Sequence, residues 1–248
     1  MDRFLRIERL LGAEAFSRLQ QSFVTVAGIG AVGGHAMEGL ARAGVGHLRL
    51  VDFDVVSTHN INRQIIALQS TVGQQKVVAA RERILQINPA CQVDIVPLFI
   101  NKESVGVVLE PTPDLLIDAI DSLGPKVELL AAAHAKQIPI ISSMGAALRT
   151  DPSLIQLGDL MATQKCPLAR RVRRRLRMRG IDQGITCVYS TEPINFTYEE
   201  PEFGPANDLV PPDQAKPRRV LGSLPTLTGI FGLVIANQAI KQLSGGLR

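Results

Sequence analysis

Short apolar runs alternate with longer amphipathic stretches through residues 22–150. The runs fall at 23–27, 47–51, 93–96, 114–118 and 138–142 and are rich in Val, Ile and Leu. They predict strands covered on both faces. Between them, residues 32–42, 73–87 and 125–136 carry apolar positions at three-and-four spacing, which predicts helices. Asn88-Pro89 stops the second helix, and Pro125 suits the first turn of the third. Strands separated by helices pair in parallel through right-handed crossovers. The expected class is therefore α/β, with a Rossmann-like, mostly parallel sheet whose ligands sit at the strand carboxyl ends.

The pattern changes on either side. Residues 3–20 read as a helical arm with Leu5, Leu10, Leu11, Ala15, Phe16 and Leu19 on its apolar positions, and Gly12 is expected to split it. Residues 155–160 and 186–191 read as short strands of an antiparallel extension. Between them, 169–180 reads as a helix with Leu168, Val172 and Leu176 on a narrow apolar face. Residues 198–219 are rich in Pro and acids and read as a long crossing loop. Residues 224–243 predict an apolar helix, interrupted by Thr226, Thr228, Asn237 and Gln238. It suits a core or dimer interface better than a membrane span. The expected organisation is one domain, 1–248, with an arm (1–21), a Rossmann-like part (22–150) and an extension (151–248).

Composition adds few constraints. The chain has 248 residues, 46% hydrophobic and 20% charged, enough for a real core. Its net charge of +4 is mildly basic, so the distribution of charge matters more than the sum. Three cysteines, Cys91, Cys166 and Cys187, form neither a CxxC pair nor an even disulfide framework, which fits a reducing cytosol. The first residues hold no apolar signal core, so the expected location is cytoplasmic, without stable membrane insertion.

The candidate chemistry begins where the first run ends. Gly28-Ile29-Gly30-Ala31-Val32-Gly33 links strand to helix, and the second run closes on Asp52. The first glycine permits the turn, the second lets backbone approach a phosphate, and the third lets helix pack on strand. The new helix offers N–H groups to an anion, and Asp52 is placed to accept from ribose hydroxyls. Asp54, Asn60, Asn62, Arg63, Gln64 and Lys76 follow. A dinucleotide needs few side-chain cations, whereas a triphosphate needs more. Arg63 and Lys76 can supply them, and Asn60, Asn62 and Gln64 are neutral donors. Asp118 and Asp121 fall at the end of the fourth run, on the same sheet edge. Asp121 is the candidate magnesium ligand, with Arg63 and Lys76 as the other catalytic candidates, while Asp118 suits bonding to loop N–H groups. In the 169–180 helix, Arg170, Arg171, Arg173, Arg174, Arg175, Arg177 and Arg179 form a basic block with almost no local acid. Without interleaved aromatics, it points to RNA backbone contacts rather than base stacking.

The pattern Gly28-x-Gly30-x-x-Gly33, Asp52-x-Asp54, Asn60-x-Asn62-Arg63-Gln64, Gly73-x-x-Lys76 and Asp118-Ala119-Ile120-Asp121 resembles the ubiquitin-activating (E1-like, ThiF/MoeB/HesA) superfamily of adenylating enzymes. Within it, the chain resembles the tRNA threonylcarbamoyladenosine dehydratases. That match rests on the stretches around Arg3-Phe4 and Arg9-Leu10, on Asp121-Ser122 with Pro125-Lys126, and on Cys187-Val188-Tyr189-Ser190-Thr191-Glu192. The resemblance implies an E1-like adenylation domain, ATP and Mg²⁺ as cofactors, tRNA as substrate and a homodimer. It also implies an arm that delivers an arginine to the partner subunit's triphosphate. Arg3 and Arg9 match the dehydratase pattern, and Arg6 matches the arginine of the sulfur-carrier activators. The implied reaction is ATP-dependent cyclisation of N6-threonylcarbamoyladenosine at tRNA position 37 through an acyl adenylate, with sulfur-transfer (cysteine desulfurase) proteins as further partners. The two CxxC pairs that hold zinc in sulfur-carrier activators are absent, and neither Cys166 nor Cys187 is marked as an activated thiol. Adenylation of a ubiquitin-like sulfur carrier is the alternative of the same superfamily. A nicotinamide oxidoreductase and a non-catalytic RNA-binding protein are the alternatives of other classes.

Overall fold

The computed structural model describes residues 3–194 and 221–246. Strand β1 (Phe23–Ala27) is central and buried from Val24 onward. Val24 and Val26 enter one apolar layer and Ala27 the other, as alternation along a doubly covered strand requires. Around it lie β2 (His47–Val51), β3 (Gln92–Val96), β4 (Leu115–Asp118), β5 (Ile140–Ser143), β6 (Ile155–Asp159) and β7 (Thr186–Ser190). The sheet order is β3-β2-β1-β4-β5-β7-β6. All neighbours pair in parallel except β6 with β7. The order reverses between β1 and β4, which opens a crevice at their carboxyl ends.

One face carries α3 (Gly33–Ala43), α4 (Lys76–Ile87) and α8 (Pro225–Leu243), with Met37, Leu40, Val77, Ile84, Phe231 and Ile235 in its core. The other carries α6 (Leu123–Ala135) and α7 (Pro167–Arg177), with Val127, Leu130, Val172 and Leu176. The 224–243 expectation is met by α8, which buries Leu227, Phe231, Ile235 and Ala239. Among the described residues, no helix is long and apolar enough to cross a membrane. Gly12 separates α1 (Leu5–Leu11) from α2 (Ala13–Gln21). Ala15, Phe16 and Leu19 of α2 are buried, and Arg18 donates to Ser244 O beyond α8 at 2.5 and 3.1 Å, so the arm packs on its own domain.

The antiparallel extension is met by β6 and β7, and β7 joins it to the parallel sheet by pairing with β5 in parallel. Two expectations need correction. The second helix begins at Lys76 rather than 73, because Gly73 has a positive φ of 90° and ends the preceding turn. A short helix α5 (Val105–Leu109), which buries Val108 and Leu109, was not expected. Five residues of Val, Gly and Leu are too short to show a helical period. The expected loop at 198–219 lies outside the described residues.

Candidate active site and basic groove

At the β1 end, Gly28 has φ +89°, and a Cβ there would come within 2.8 Å of Ala119 O. At Gly33 a Cβ would lie 1.8 Å from Gly28 O, so helix and turn are in backbone contact. Gly30 is different: its Cβ would meet only Gln64 Nε2, at 3.9 Å. The turn and packing geometry expected of Gly28 and Gly33 is present, and Gly30 leaves open the space that a close approach would need. The open position also faces an amide with an unfilled acceptor, because Gln64 is buried and its Oε1 has no hydrogen-bond partner among the described residues. A buried orphan acceptor beside an open glycine and the first turn of α3 suits a polar, phosphate-bearing ligand.

The Asp52 carboxylate accepts from Ile29 N at 2.7 Å and from Asp54 N at 2.9 Å. It therefore ties the glycine turn to the loop after β2, and each oxygen keeps a lone pair for a ribose hydroxyl. Burial pushes its carboxyl above the usual carboxylate range, against the pull of the Lys76 ammonium. Lys76 is buried and its Nζ lies 2.8 Å from Asp54 Oδ2. The expected phosphate cation is thus already paired, and it has two further N–H donors to share. Asn60 is buried, and its Oδ1 accepts from Ser57 N at 3.0 Å and Ser57 Oγ at 3.1 Å. It shapes the loop, leaving its NH₂ for a ligand. Arg63 NH1 donates to His59 O and Asn62 Oδ1, both at 2.9 Å. Asn62 is therefore a support for Arg63, while the rest of that guanidinium has no partner among the described residues.

Across the crevice, Asp118 is fully buried and Asp121 is exposed. Asp118 Oδ1 accepts from Ile120 N at 3.1 Å, as expected of a loop-bonding acid. Its Oδ2 meets Lys126 Nζ at 2.5 Å, a fully buried ion pair that sequence reasoning did not assign. The available signal was a lysine one turn into an apolar helix, where the flanking Val127, Leu129 and Leu130 are core. Among the described residues, no three His, Cys, Asp or Glu side chains cluster. A magnesium ion held by Asp121 would take its other ligands from phosphate and water, which is its usual preference.

Of the arm arginines, Arg3 donates from NH1 to Ile87 O at 2.6 Å, at the carboxyl end of α4 in the same chain. Arg6 and Arg9 are exposed. The structure thus commits Arg3 at home and leaves the other two available.

The basic block forms α7, with Ala169, Val172 and Leu176 buried beneath it. Leu168, expected on that face, is half-buried and packs against the same core. Two arginines are already bonded to other groups of the chain. Arg173 NH1 donates to Thr163 O at 2.7 Å and to Thr163 Oγ1, and Arg179 pairs bidentately with Glu128. Arg170, Arg171, Arg174, Arg175 and Arg177 are exposed. A groove of about 990 Å³ is lined by Lys165, Cys166, Pro167 and arginines of this helix. Its start touches the sheet edge: Cys166 Sγ lies 3.8 Å from where a Gly145 Cβ would be, just past the end of β5. The three cysteines are free and buried. Burial pushes the Cys91 thiol up to about 11 and the Cys187 thiol up to about 12, so neither is activated.

A glycine turn, a buried carboxylate that ties it to the next loop and a buried Lys76–Asp54 pair at the switch point of a Rossmann-like sheet are the features of a nucleotide-binding protein of the E1-like type. The model of the ThiF family matches residues 1–247, and the chain belongs to that family. It is 42% identical over 192 residues to the tRNA threonylcarbamoyladenosine dehydratase of Bacillus subtilis (strain 168), covering 77% of this chain and 76% of that protein. The dehydratase of Escherichia coli (strain K12) is 35% identical over 253 residues, covering 97% and 93%. A crystal structure of the E. coli enzyme in complex with AMP superposes with a TM-score of 0.86 at 34% identity, over 98% of this chain and 94% of that one. The E. coli molybdopterin-synthase adenylyltransferase is 36% identical over 133 residues, 54% of this chain and 52% of that protein.

Proposed function

We propose that this chain uses ATP to cyclise N6-threonylcarbamoyladenosine at position 37 of tRNA, with net loss of water at the nucleoside. The observation that carries the reading is that the arginine groove begins at Cys166, which packs beside Gly145 just past β5, at the same carboxyl edge of the parallel sheet as the glycine turn. A substrate whose backbone lies along the groove reaches the edge where ATP would be bound. The likeness to dehydratases across nearly the whole chain supports the same reading, and the likeness to a sulfur-carrier activator spans about half of it.

ATP is read as a substrate held by the glycine turn and the α3 amino terminus. Asp52 holds the ribose, and Lys76 and Arg63 neutralise phosphate oxygens as the charge shifts towards pyrophosphate. The substrate carboxylate attacks the α-phosphorus, giving an acyl adenylate and pyrophosphate. The ureido group of the same nucleoside then closes the ring and expels AMP. An intramolecular closure needs no enzyme thiol, in keeping with three buried cysteines. A magnesium ion at Asp121 would screen the triphosphate. The working form is a cytoplasmic homodimer in which Arg6 or Arg9 of one arm serves the other subunit's nucleotide, and a cysteine desulfurase is a further partner.

The test is incubation with modified tRNA, ATP and Mg²⁺, followed by mass measurement of the released nucleosides. Loss of one water, dependent on ATP, is expected. ATP–pyrophosphate exchange driven by a small ubiquitin-like protein and indifferent to tRNA would replace this reading with the sulfur-carrier one.

A further inference from the structure

Lys126 is a buried charge that none of these steps uses. It has no exposed surface, and its ammonium donates to Asp118 Oδ2 at 2.5 Å, Ser143 O at 2.9 Å and Ser142 Oγ at 3.3 Å. Ser142 Oγ in turn donates to Asp118 Oδ2 at 2.5 Å. All three ammonium protons are met. Stability alone is a weak reason for such a cluster, because an apolar pair of similar volume often folds as well or better.

The cluster joins the ends of β4 and β5 to the first turns of α6. The loop between β4 and α6 meets the glycine turn at the end of β1. Asp118 Oδ1 accepts from Ile120 N, and Ala119 N donates to Ala27 O at 2.8 Å. The loop is pressed on the glycine turn, with Ala119 O and Ala119 Cβ lying 2.8 and 3.1 Å from the Cβ positions of Gly28 and Gly33. Asp121 follows, two residues beyond Ala119, and is exposed.

We infer that Lys126 is a positioning residue for nucleotide chemistry. It fixes the Asp118 carboxylate, which fixes the backbone of 119–121, which sets Asp121 against the glycine turn. The inference rests on the ATP-dependent reading above, and deepens it by adding a residue that touches neither substrate nor metal.

The test reads Mg²⁺-dependent ATP binding, which does not require the tRNA substrate, alongside kcat and KM on modified tRNA. In Lys126→Met, the Mg²⁺ needed for half-maximal ATP binding is expected to rise about tenfold, and kcat to fall by a similar factor. Metal-free ATP binding should stay within about threefold of wild type. The double variant Asp118→Leu/Lys126→Met removes both charges and is expected to recover thermal stability without recovering either readout. Ser142→Ala, which keeps the ion pair, is expected to lower kcat about threefold with the fold intact. A wild-type Mg²⁺ requirement in Lys126→Met or in the double variant overturns the inference, as does wild-type kcat in Ser142→Ala should the other two fail to fold. A wild-type enzyme that binds Mg–ATP and leaves modified tRNA unchanged would refute the dehydratase reading instead, and the Mg²⁺ titration would still decide the role of Lys126.

Discussion

Gly33 and Gly30 belong to one turn, yet substitution should affect them in opposite ways. A Cβ at Gly33 would overlap Gly28 O, which is backbone and cannot step aside. Gly33→Ala should cost at least about 1–3 kcal/mol of stability, measured by denaturant unfolding. Gly30→Ala has room and should fold normally, but its methyl occupies the approach beside Gln64. ATP should bind roughly tenfold more weakly there, about 1.4 kcal/mol, by titration calorimetry. Lys76→Ala and Asp121→Ala should each cut adenylation at least about tenfold, again about 1.4 kcal/mol of transition-state stabilisation. Near wild-type turnover with folding intact would remove that residue from the site. Lys76→Ala has a second consequence, since it leaves the half-buried Asp54 carboxylate without its ammonium. Some loss of stability should accompany its loss of rate, whereas exposed Asp121 should show none.

At the scale of elements, α3 and α4 are joined through Glu38, which pairs with Arg42 on its own helix and with Arg83 on the next. Burial alone would raise the Glu38 carboxyl, but hydrogen bonds and charges from Arg83 and Arg42 hold it below its ordinary value. A lowered carboxyl contributes stability above its unfolded pKa, near 4.3 for Glu, and loses it as pH falls through the folded one. Glu38→Gln should therefore cost about 1–3 kcal/mol at neutral pH. It should also flatten the acid limb of thermal midpoint against pH below about 4.3. On α7, replacing Arg170, Arg174 and Arg177 with Gln should weaken tRNA binding and reduce the salt slope by somewhat under one unit per lost phosphate contact. Arg173→Gln should instead lower stability with little change in slope, because Arg173 is bonded to Thr163. An unchanged slope in the triple variant would move the RNA surface elsewhere.

These elements also show what the sequence could and could not reveal. The core strands were legible because doubly buried strands are written as continuous apolar runs, and β1, β2 and β4 fall almost where those runs do. The glycine turn was legible because its backbone geometry excludes other residues at Gly28 and Gly33. What stayed hidden depends on distant pairing. No local pattern says that Lys76 meets Asp54, that Arg173 bends to Thr163, or that β7 slots beside β5 before β6 does. The Asp118–Lys126 pair was hidden for the same reason, although its members are eight residues apart.

For the whole molecule, the proposed shared site makes a strong demand. If Arg6 or Arg9 serves a neighbour, Lys76→Ala protein and a variant altered at Arg3, Arg6 and Arg9 are each inactive alone. After subunit exchange, mixed dimers should regain part of the activity, because one of their two sites is intact. Persistent inactivity in proven heterodimers would falsify the shared site. Arg3 needs separate treatment, since its bond to Ile87 O gives it a role within its own chain. Arg3→Gln alone should loosen the arm without abolishing catalysis.

The burial of all three thiols has a practical consequence. Cys91, Cys166 and Cys187 are each under 5% exposed, and the thiolate forms of Cys91 and Cys187 are suppressed. A thiol-reactive dye added to the native protein should find almost nothing to label, and each labelling event should count one opening of the molecule. The native chain is in that sense its own unfolding clock. It can also take a single engineered surface cysteine as a reporter on the arm or on α7 without first deleting any of its own.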